Sequence, residues 1–283
     1  MISRPSRDGA SAHPGPSRRP RSRVLALSAV PVVALLAVAG FAPLPYSVAR
    51  PGQTTDVLGP YGGDEVISVS GAPVRKTSGQ LRMVAIQATA PRVDIRLADV
   101  IGGYFRADRA VMPSDAVFPP GASDAQVAAH NAADMKKSQN AAVAAALGFL
   151  KKDPDRVKVK LKLDDVGGPS AGLLFALGIV DKLDGDGGGG SGSGDGGGDL
   201  TGGRKIAGTG TIDADGAVGA VGGVALKAQA ARRDGASVFL VPKAECESLR
   251  GAPDGLRLIP VTTLKGAVHA LRELDNGGPV PAC

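Results

Sequence analysis

The most informative segment of the sequence runs from Asp164 to Val180, DDVGGPSAGLLFALGIV. It places Ser170 among glycines, after a segment that alternates polar and apolar residues and before an apolar segment that predicts a helix. A serine in this position can be a nucleophile, or it can cap the helix by accepting a hydrogen bond from a free backbone N–H. Strand-like and helix-like segments alternate over residues 64–274, which predicts one α/β (or α+β) domain.

Alternating or continuously apolar segments predict the strands, and segments rich in helix formers predict the helices. The predicted strands cover residues 64–70, 81–89, 93–100, 156–163, 205–213, 217–221, 237–242 and 255–261, and the predicted helices cover 124–150, 171–183, 224–233 and 263–274. The dipeptide Asp215-Gly216 predicts a hairpin turn. Residues 185–199 hold 10 glycines in 15 positions, so we expect a flexible insertion there, and residues 275–283 form a C-terminal tail.

The N-terminal region combines a basic tail with an apolar segment. Residues 1–23 contain six arginines and one aspartate, so they carry +5 of the formal net charge of +6. Basic charge confined to a tail argues against a nucleic-acid-binding face, so no nucleic-acid partner is predicted. Residues 24–42, VLALSAVPVVALLAVAGFA, carry no charge and, at about 1.5 Å per residue, predict a transmembrane helix.

Arginines before this helix and none directly after it predict a single-pass protein of the cell membrane. Its N-terminus would be cytoplasmic and its folded domain extracytoplasmic, joined by a linker at residues 43–63 that is rich in proline and glycine. The alternative is a cleaved signal peptide, with Ala37-Val38-Ala39 as its processing site.

Both cysteines, Cys246 and Cys283, fall on the predicted outer side, where a disulfide can persist. Such a disulfide would tie the C-terminal tail to the body of the domain. Two free thiols are the alternative.

The motif Gly168-Pro169-Ser170-Ala171-Gly172 satisfies the G-x-S-x-G pattern of α/β-hydrolases, which need a histidine as base. The strand before it, VKVKLKL, carries a lysine at every second position, unlike a central strand buried on both faces. The histidine in the required order, His269, falls in an amphipathic helix. The hydrolase interpretation is therefore weak, and the sequence contains neither a metal-ligand cluster nor a Walker motif, so no cofactor is predicted.

A lysine is the remaining candidate for the base. Lysine can accept a proton near neutral pH only if burial lowers its pKa from about 10.4 toward 7–8. Lys227, in AVGAVGGVALKAQAARRDG, begins a helix made largely of alanine, valine and leucine. The alternative for Lys227 is an ordinary surface lysine whose stem lies along apolar residues.

Two segments together, GGPSAGLLFALGIVDKL and TGGRKIAGTGTIDADGAVGAVGGVALKAQAARRDGASVFLVP, resemble the proteolytic domain of the Lon family of serine proteases in order, spacing and turns. The resemblance covers about residues 164–245, and MKKSQNAAVAAALGFL upstream is similar to the family's preceding helix, so the family fold is expected over about 79–274. It implies that Ser170 is the nucleophile, that Lys227 is the general base and that Thr209 helps to hold the lysine. Backbone N–H groups around Gly168 and Ser170 would form the oxyanion hole.

The resemblance also sets limits. Many family members have an acidic residue where this chain has Gly167, and neither an ATP-driven unfoldase module nor a PDZ domain is recognised in the sequence. We therefore expect a membrane-anchored, ATP-independent Lon-like endopeptidase whose protein or peptide substrates arrive unfolded or flexible. The resemblance implies a possible homo-oligomeric ring. The alternative is a catalytically inactive binding or scaffold protein with the same fold at the membrane.

Overall fold

The structure of the protein is a computed structural model that describes residues 21–90, 93–118, 121–163, 168–184, 199–249 and 252–283. Its α-helices are α1 Arg21–Phe41, α2 Leu97–Tyr104, α3 Asp124–Phe149, α4 Gly172–Leu183, α5 Val224–Arg233 and α6 Leu264–Asp275. Its strands are β1 Tyr46–Asp56, β2 Pro60–Tyr61, β3 Asp64–Glu65, β4 Ile67–Ser70, β5 Gln80–Ala88, β6 Ala110–Pro113, β7 Lys158–Leu161, β8 Lys205–Gly208, β9 Thr211–Ile212, β10 Val218–Gly219, β11 Val238–Pro242 and β12 Arg257–Val261.

Six strands form one mixed sheet in the order β12-β11-β8-β5-β1-β6. The first four are mutually parallel, with Leu240 of β11 opposite Gly208 of β8 on one side and Ile259 of β12 on the other. Strand β1 runs antiparallel to both of its neighbours, β5 and β6. Helices connect the parallel strands, so the prediction of a mixed α/β fold is confirmed.

The two faces of the sheet are covered by different helices. Helix α4 is apolar apart from Asp181 and Lys182 in its last turn and is buried along its whole length, and it packs with α3 and α6 against one face. Helix α5 covers the other face with Val224 and Ala228, which pack against Phe239 of β11. Successive residues of a strand point to opposite faces, so Leu240 joins the first cluster while Phe239 joins the second. A strand buried on both faces explains the continuous apolar run of β11.

Two sequence predictions are corrected by the structure. Residues 43–63, predicted to be a linker, contain β1, which lies inside the main sheet. Its proline and glycine sit at an irregularity, because the register with β5 shifts between Pro51 and Thr54 and a Cβ on Gly52 would lie 2.5 Å from the carbonyl oxygen of Ala85. Residues 93–100, predicted to be a strand, instead lead into the short helix α2.

The N-terminal segment is helical over α1. Among the residues that the structure describes, however, no helix combines the length and the apolar character needed to span a bilayer, so the predicted transmembrane helix at 24–42 is not supported. Predictions that concern residues 1–20, Gly167 and the glycine-rich segment up to Gly198 lie outside the described residues.

Side-chain contacts hold the chain on both sides of the glycine-rich segment. Before it, Asp184 forms an ion pair with Arg272 of α6. After it, the carboxylate of Asp199 accepts hydrogen bonds from the backbone N–H groups of Ser78 at 2.7 Å and Thr201 at 2.8 Å. Contacts among the described residues therefore fix the end of α4 and the approach to β8.

Candidate active site

Ser170 lies in a tight turn at the start of α4. Gly168 has a φ of 98°, a backbone conformation that a side chain would strain, and Pro169 opens a 3₁₀ turn that runs directly into the helix. Gly172 is required for space, because a Cβ there would lie 2.8 Å from Oγ of Ser138. The sequence G-P-S-A-G therefore suits a sharp entry into a helix, with Ser170 half-buried at its N-terminus.

Hydrogen bonds fix this turn to two other elements. The N–H of Gly210 donates to the carbonyl oxygen of Ser170 at 2.9 Å, and the N–H of Leu173 donates to that of Gly210 at 3.1 Å. From the other side, the hydroxyl of Ser138 on α3 donates to the carbonyl oxygen of Pro169 at 2.8 Å. The backbone of Ser170 is therefore anchored to the chain that follows β8 and, through Pro169, to α3.

Lys227 is the fourth residue of α5 and is only 3% exposed. The helix starts after Gly223, which adopts the left-handed conformation with a φ of 69° and lies so close to Ile86 that a Cβ would approach it to 3.0 Å. This close approach sets the first turn of α5 against β5. The lysine side chain is thereby directed into the domain, and the interpretation of Lys227 as a surface lysine is wrong.

Thr209 connects the lysine to the serine turn. The ammonium of Lys227 donates from Nζ to Oγ1 of Thr209 at 3.0 Å, and that hydroxyl donates to the carbonyl oxygen of Ser170 at 3.3 Å. Thr209 is fully buried and directly follows β8, at the carboxyl end of the parallel strands. Such edges are common positions for binding and catalytic groups in α/β proteins.

Burial lowers the pKa of Lys227 to about 8, because the ammonium loses hydration that the surrounding apolar side chains do not replace. The negative charge of Glu245 acts in the opposite direction and raises this pKa. Glu245 belongs to the 3₁₀ helix Lys243–Leu249 that follows β11, so two neighbouring parallel strands each contribute a residue to the surroundings of the lysine.

The 3₁₀ helix that carries Glu245 is tied to the C-terminal segment. Cys246 and Cys283 form a disulfide, as expected from the sequence, with their Cα atoms 5.2 Å apart. A cavity of about 570 Å³ opens beside it, lined by residues that include Gly222, Leu226 and Glu245. The cross-link therefore restrains one wall of the space that borders the start of α5.

The histidines do not join this cluster. His269 lies on the exposed side of α6, and His130 on α3 pairs with Asp134 at 3.3 Å. The carbonyl oxygen of Ser170 accepts hydrogen bonds from Gly210 and Thr209, and neither ring is among these partners within the described ranges. The described residues also contain no group of three or more histidine, cysteine or acidic side chains arranged to hold a metal ion.

Two residues near the site carry little signal in the sequence and were not predicted from it. Ser138 is 5% exposed but stands between Lys137 and Gln139, in a polar stretch of the sequence that gives no sign of a buried hydroxyl bonded to backbone. Glu245 adjoins Cys246, but its effect on Lys227 depends on the packing of two segments that are distant in sequence, for which the sequence carries no local signal.

A scan of the sequence against models of known protein families gives no match. The resemblance to Lon-type proteases therefore depends on the quoted motifs, and any role for these residues has to be argued from their geometry.

Proposed function

We propose that the protein is a Lon-like serine endopeptidase that uses Ser170 as nucleophile and Lys227 as general base. One observation carries the proposal: the hydroxyl of Thr209 contacts both the buried amine of Lys227 and the backbone of Ser170. A buried lysine with a pKa lowered to about 8 is costly to the fold, and such perturbed groups are concentrated at functional sites.

The chemistry follows from these two residues. Neutral Lys227 takes the proton of the Ser170 hydroxyl while Oγ bonds to the substrate carbonyl carbon, and negative charge moves to the carbonyl oxygen. Backbone N–H groups at the start of α4, from the turn after Gly168, stabilise that oxyanion together with the helix dipole. Lys227 then protonates the departing amide nitrogen, and the C–N bond breaks to leave an acyl ester on Ser170.

Hydrolysis of the ester returns the enzyme to its starting state. Lys227 accepts a proton from water as the water oxygen attacks the acyl carbon, and it passes a proton back to Ser170 when the ester bond breaks. Neither the acylation nor the hydrolysis step requires a cofactor or a nucleotide. Substrates would be unfolded or flexible protein segments, and attachment to a membrane, an extracytoplasmic location and a ring assembly stay predictions from the sequence.

The test uses the full-length protein with a denatured protein substrate and a fluorophosphonate probe. We expect the wild type to cleave the substrate and the probe to label Ser170, located by mass spectrometry of peptides. Ser170→Ala and Lys227→Ala should abolish cleavage, whereas His269→Ala should retain it, because His269 is exposed on α6.

Two results would overturn the proposal. Loss of cleavage in His269→Ala with labelled Ser170 would favour a histidine base. An inert, unlabelled wild type would favour the binding or scaffold alternative.

A further inference from the structure

Helix α2 presents its bulky apolar side chains to solvent. Gly103 is its buried residue, and it packs so closely on β6 that a Cβ would lie 2.5 Å from Cγ2 of Val111. Leu97, Ile101 and Tyr104, spaced by four and three residues, lie on the exposed side. A helix of a soluble domain normally turns such residues inward, so α2 is inverted relative to the core.

Two aromatic rings lie at the C-terminal end of this exposed face. Tyr104 is 82% exposed and Phe105 is 80% exposed, and their rings are in contact edge to face with centroids 5.5 Å apart. Clustered exposed apolar side chains, as opposed to single ones, mark surfaces that contact a partner or a membrane. The exposed set on and around α2 comprises Val93, Leu97, Ile101, Tyr104 and Phe105, here called the α2 patch.

The α2 patch is continuous with the apolar surface of α1. The C-terminal end of α1 contacts α2, and the guanidinium of Arg96 lies 5.9 Å from the ring centre of Phe41. Residues 27–41 of α1 are apolar apart from Ser28, and their large side chains, from Leu27 to Phe41, are exposed. The exposed apolar surface of α1 therefore meets the N-terminal end of α2 at Phe41.

The composition of this surface fits lipid better than a second copy of the chain. A partner helix covers one stripe of a helix, whereas the exposed large side chains between Leu27 and Phe41 lie on every side of α1. Aromatic side chains concentrate where an apolar segment meets the headgroup region of a bilayer. Phe41 ends α1, and Tyr104 and Phe105 are exposed at the end of α2, the helix that α1 contacts.

We propose that the α2 patch docks on the surface of a lipid bilayer, with Tyr104 and Phe105 inserted at the headgroup level. The contact requires only that the apolar side chains leave water, and it does not depend on whether α1 crosses the membrane. It is also independent of the proposed peptidase chemistry, since none of its residues belongs to that site.

The protein contains no tryptophan, so Phe105→Trp introduces a single fluorescent reporter into the full chain. We expect its emission to shift to shorter wavelength on addition of phosphatidylcholine vesicles, and to be quenched when the acyl chains are brominated near the headgroup. Val74→Trp is the matched control, because Val74 is also exposed but adjoins Arg75, which bonds to the C-terminal end of α4. Its emission should not respond to either vesicle.

The proposal is overturned if the emission of Phe105→Trp neither shifts on addition of phosphatidylcholine vesicles nor is quenched by the brominated ones. It is likewise overturned if the emission shifts without lipid as protein concentration rises, which would identify a second copy as the partner. A second variant, Tyr104→Ser with Phe105→Ser, should bind vesicles with a partition constant about tenfold lower than that of the wild type. Its thermal unfolding temperature should be unchanged. Unaltered partitioning of this folded variant would also refute the proposal.

Discussion

Lys227 donates a hydrogen bond to Thr209 across 3.0 Å inside the domain, where the two residues are 3% and 0% exposed. The lysine is thus held by a neutral hydroxyl in an apolar environment, which favours the uncharged amine over the ammonium. With a pKa of about 8, a fraction of Lys227 is neutral near physiological pH, and the neutral amine is the form that a general base requires.

Replacing Thr209 by valine should impair catalysis while preserving the packing volume. The variant loses the acceptor for Lys227 and leaves the amine unoriented, so we expect kcat to fall by about ten- to a hundredfold, in line with about 1.5–3 kcal/mol for a hydrogen bond to a charged group. Steady-state peptidase kinetics measure this. Thr209→Ser keeps the hydroxyl and should retain most of the activity; equal losses in both variants would contradict the assigned contact.

The pH dependence of kcat/KM should report the protonation of Lys227. Because the base must be neutral, activity should rise with pH through the lysine pKa of about 8 and then level off. The charge of Glu245 raises that pKa, so Glu245→Gln should move the rising limb to lower pH. Glu247→Gln, which alters an exposed carboxylate on the same 3₁₀ helix, should leave the limb in place. If the rising limb does not lie near pH 8 and does not move in Glu245→Gln, Lys227 is excluded as the titrating group.

The buried lysine should reduce the stability of the folded protein. Its pKa falls from 10.5 for a fully hydrated lysine side chain to about 8 in the folded domain, so folding opposes protonation and costs about 3 kcal/mol below pH 8, a cost that fades as pH rises toward 10.5. Lys227→Met removes the cost but also the bond to Thr209, and we expect a net gain of about 2 kcal/mol at pH 7 together with loss of activity. Chemical denaturation at pH 7 and pH 10 measures both contributions.

Lys182 supplies the matched control for this stability prediction. It is also buried, but its ammonium bonds to Glu65 at 2.9 Å and to the carbonyl oxygen of Ile67 at 3.1 Å. Lys182→Met should therefore destabilise the protein by about 1–3 kcal/mol, because a buried acceptor loses its donor. If both substitutions destabilise equally, burial of Lys227 carries no special cost.

Ser138 should act as a positioning residue for the serine turn. Ser138→Ala removes the hydrogen bond to Pro169 and should lower kcat more than it changes KM, at a stability cost of about 1–2 kcal/mol. Ser123→Ala removes the N-terminal cap of the same helix, α3, at a comparable cost in stability, and should leave kcat unchanged. If kcat falls in parallel with stability in both variants, Ser138 has only a structural role.

The sequence was sufficient wherever the signal is local. The alternation of VKVKLKL predicted β7, whose residues alternate between exposed and half-buried, and Asp215-Gly216 predicted the turn between β9 and β10, where Gly216 has a φ of 86°. The apolar run after Ser170 predicted α4, because a helix buried on every side is composed mainly of apolar residues.

Prediction failed where tertiary packing overrides local preference. Strand β1 contains Pro51 and Gly52, which normally indicate a loop, but the register shift in the sheet accommodates both. The residues before α2 alternate like a strand, yet close packing of Gly103 on Val111 selects a helix that exposes its apolar side. The contact of Ser138 with Pro169 joins residues 31 apart, a distance over which sequence patterns carry no information.

The anchoring of Asp184 to Arg272 and of Asp199 to Ser78 has a consequence for the history and the engineering of this chain. The glycine-rich sequence between these two anchors predicts a flexible connection, and doubling the length of such a connection costs only about 0.6 kcal/mol. The segment between Asp184 and Asp199 is therefore a suitable site for insertions. Descendants of the same ancestor can differ in length there, and a fluorescent protein or an affinity module could be inserted while α4 and β8 keep their places.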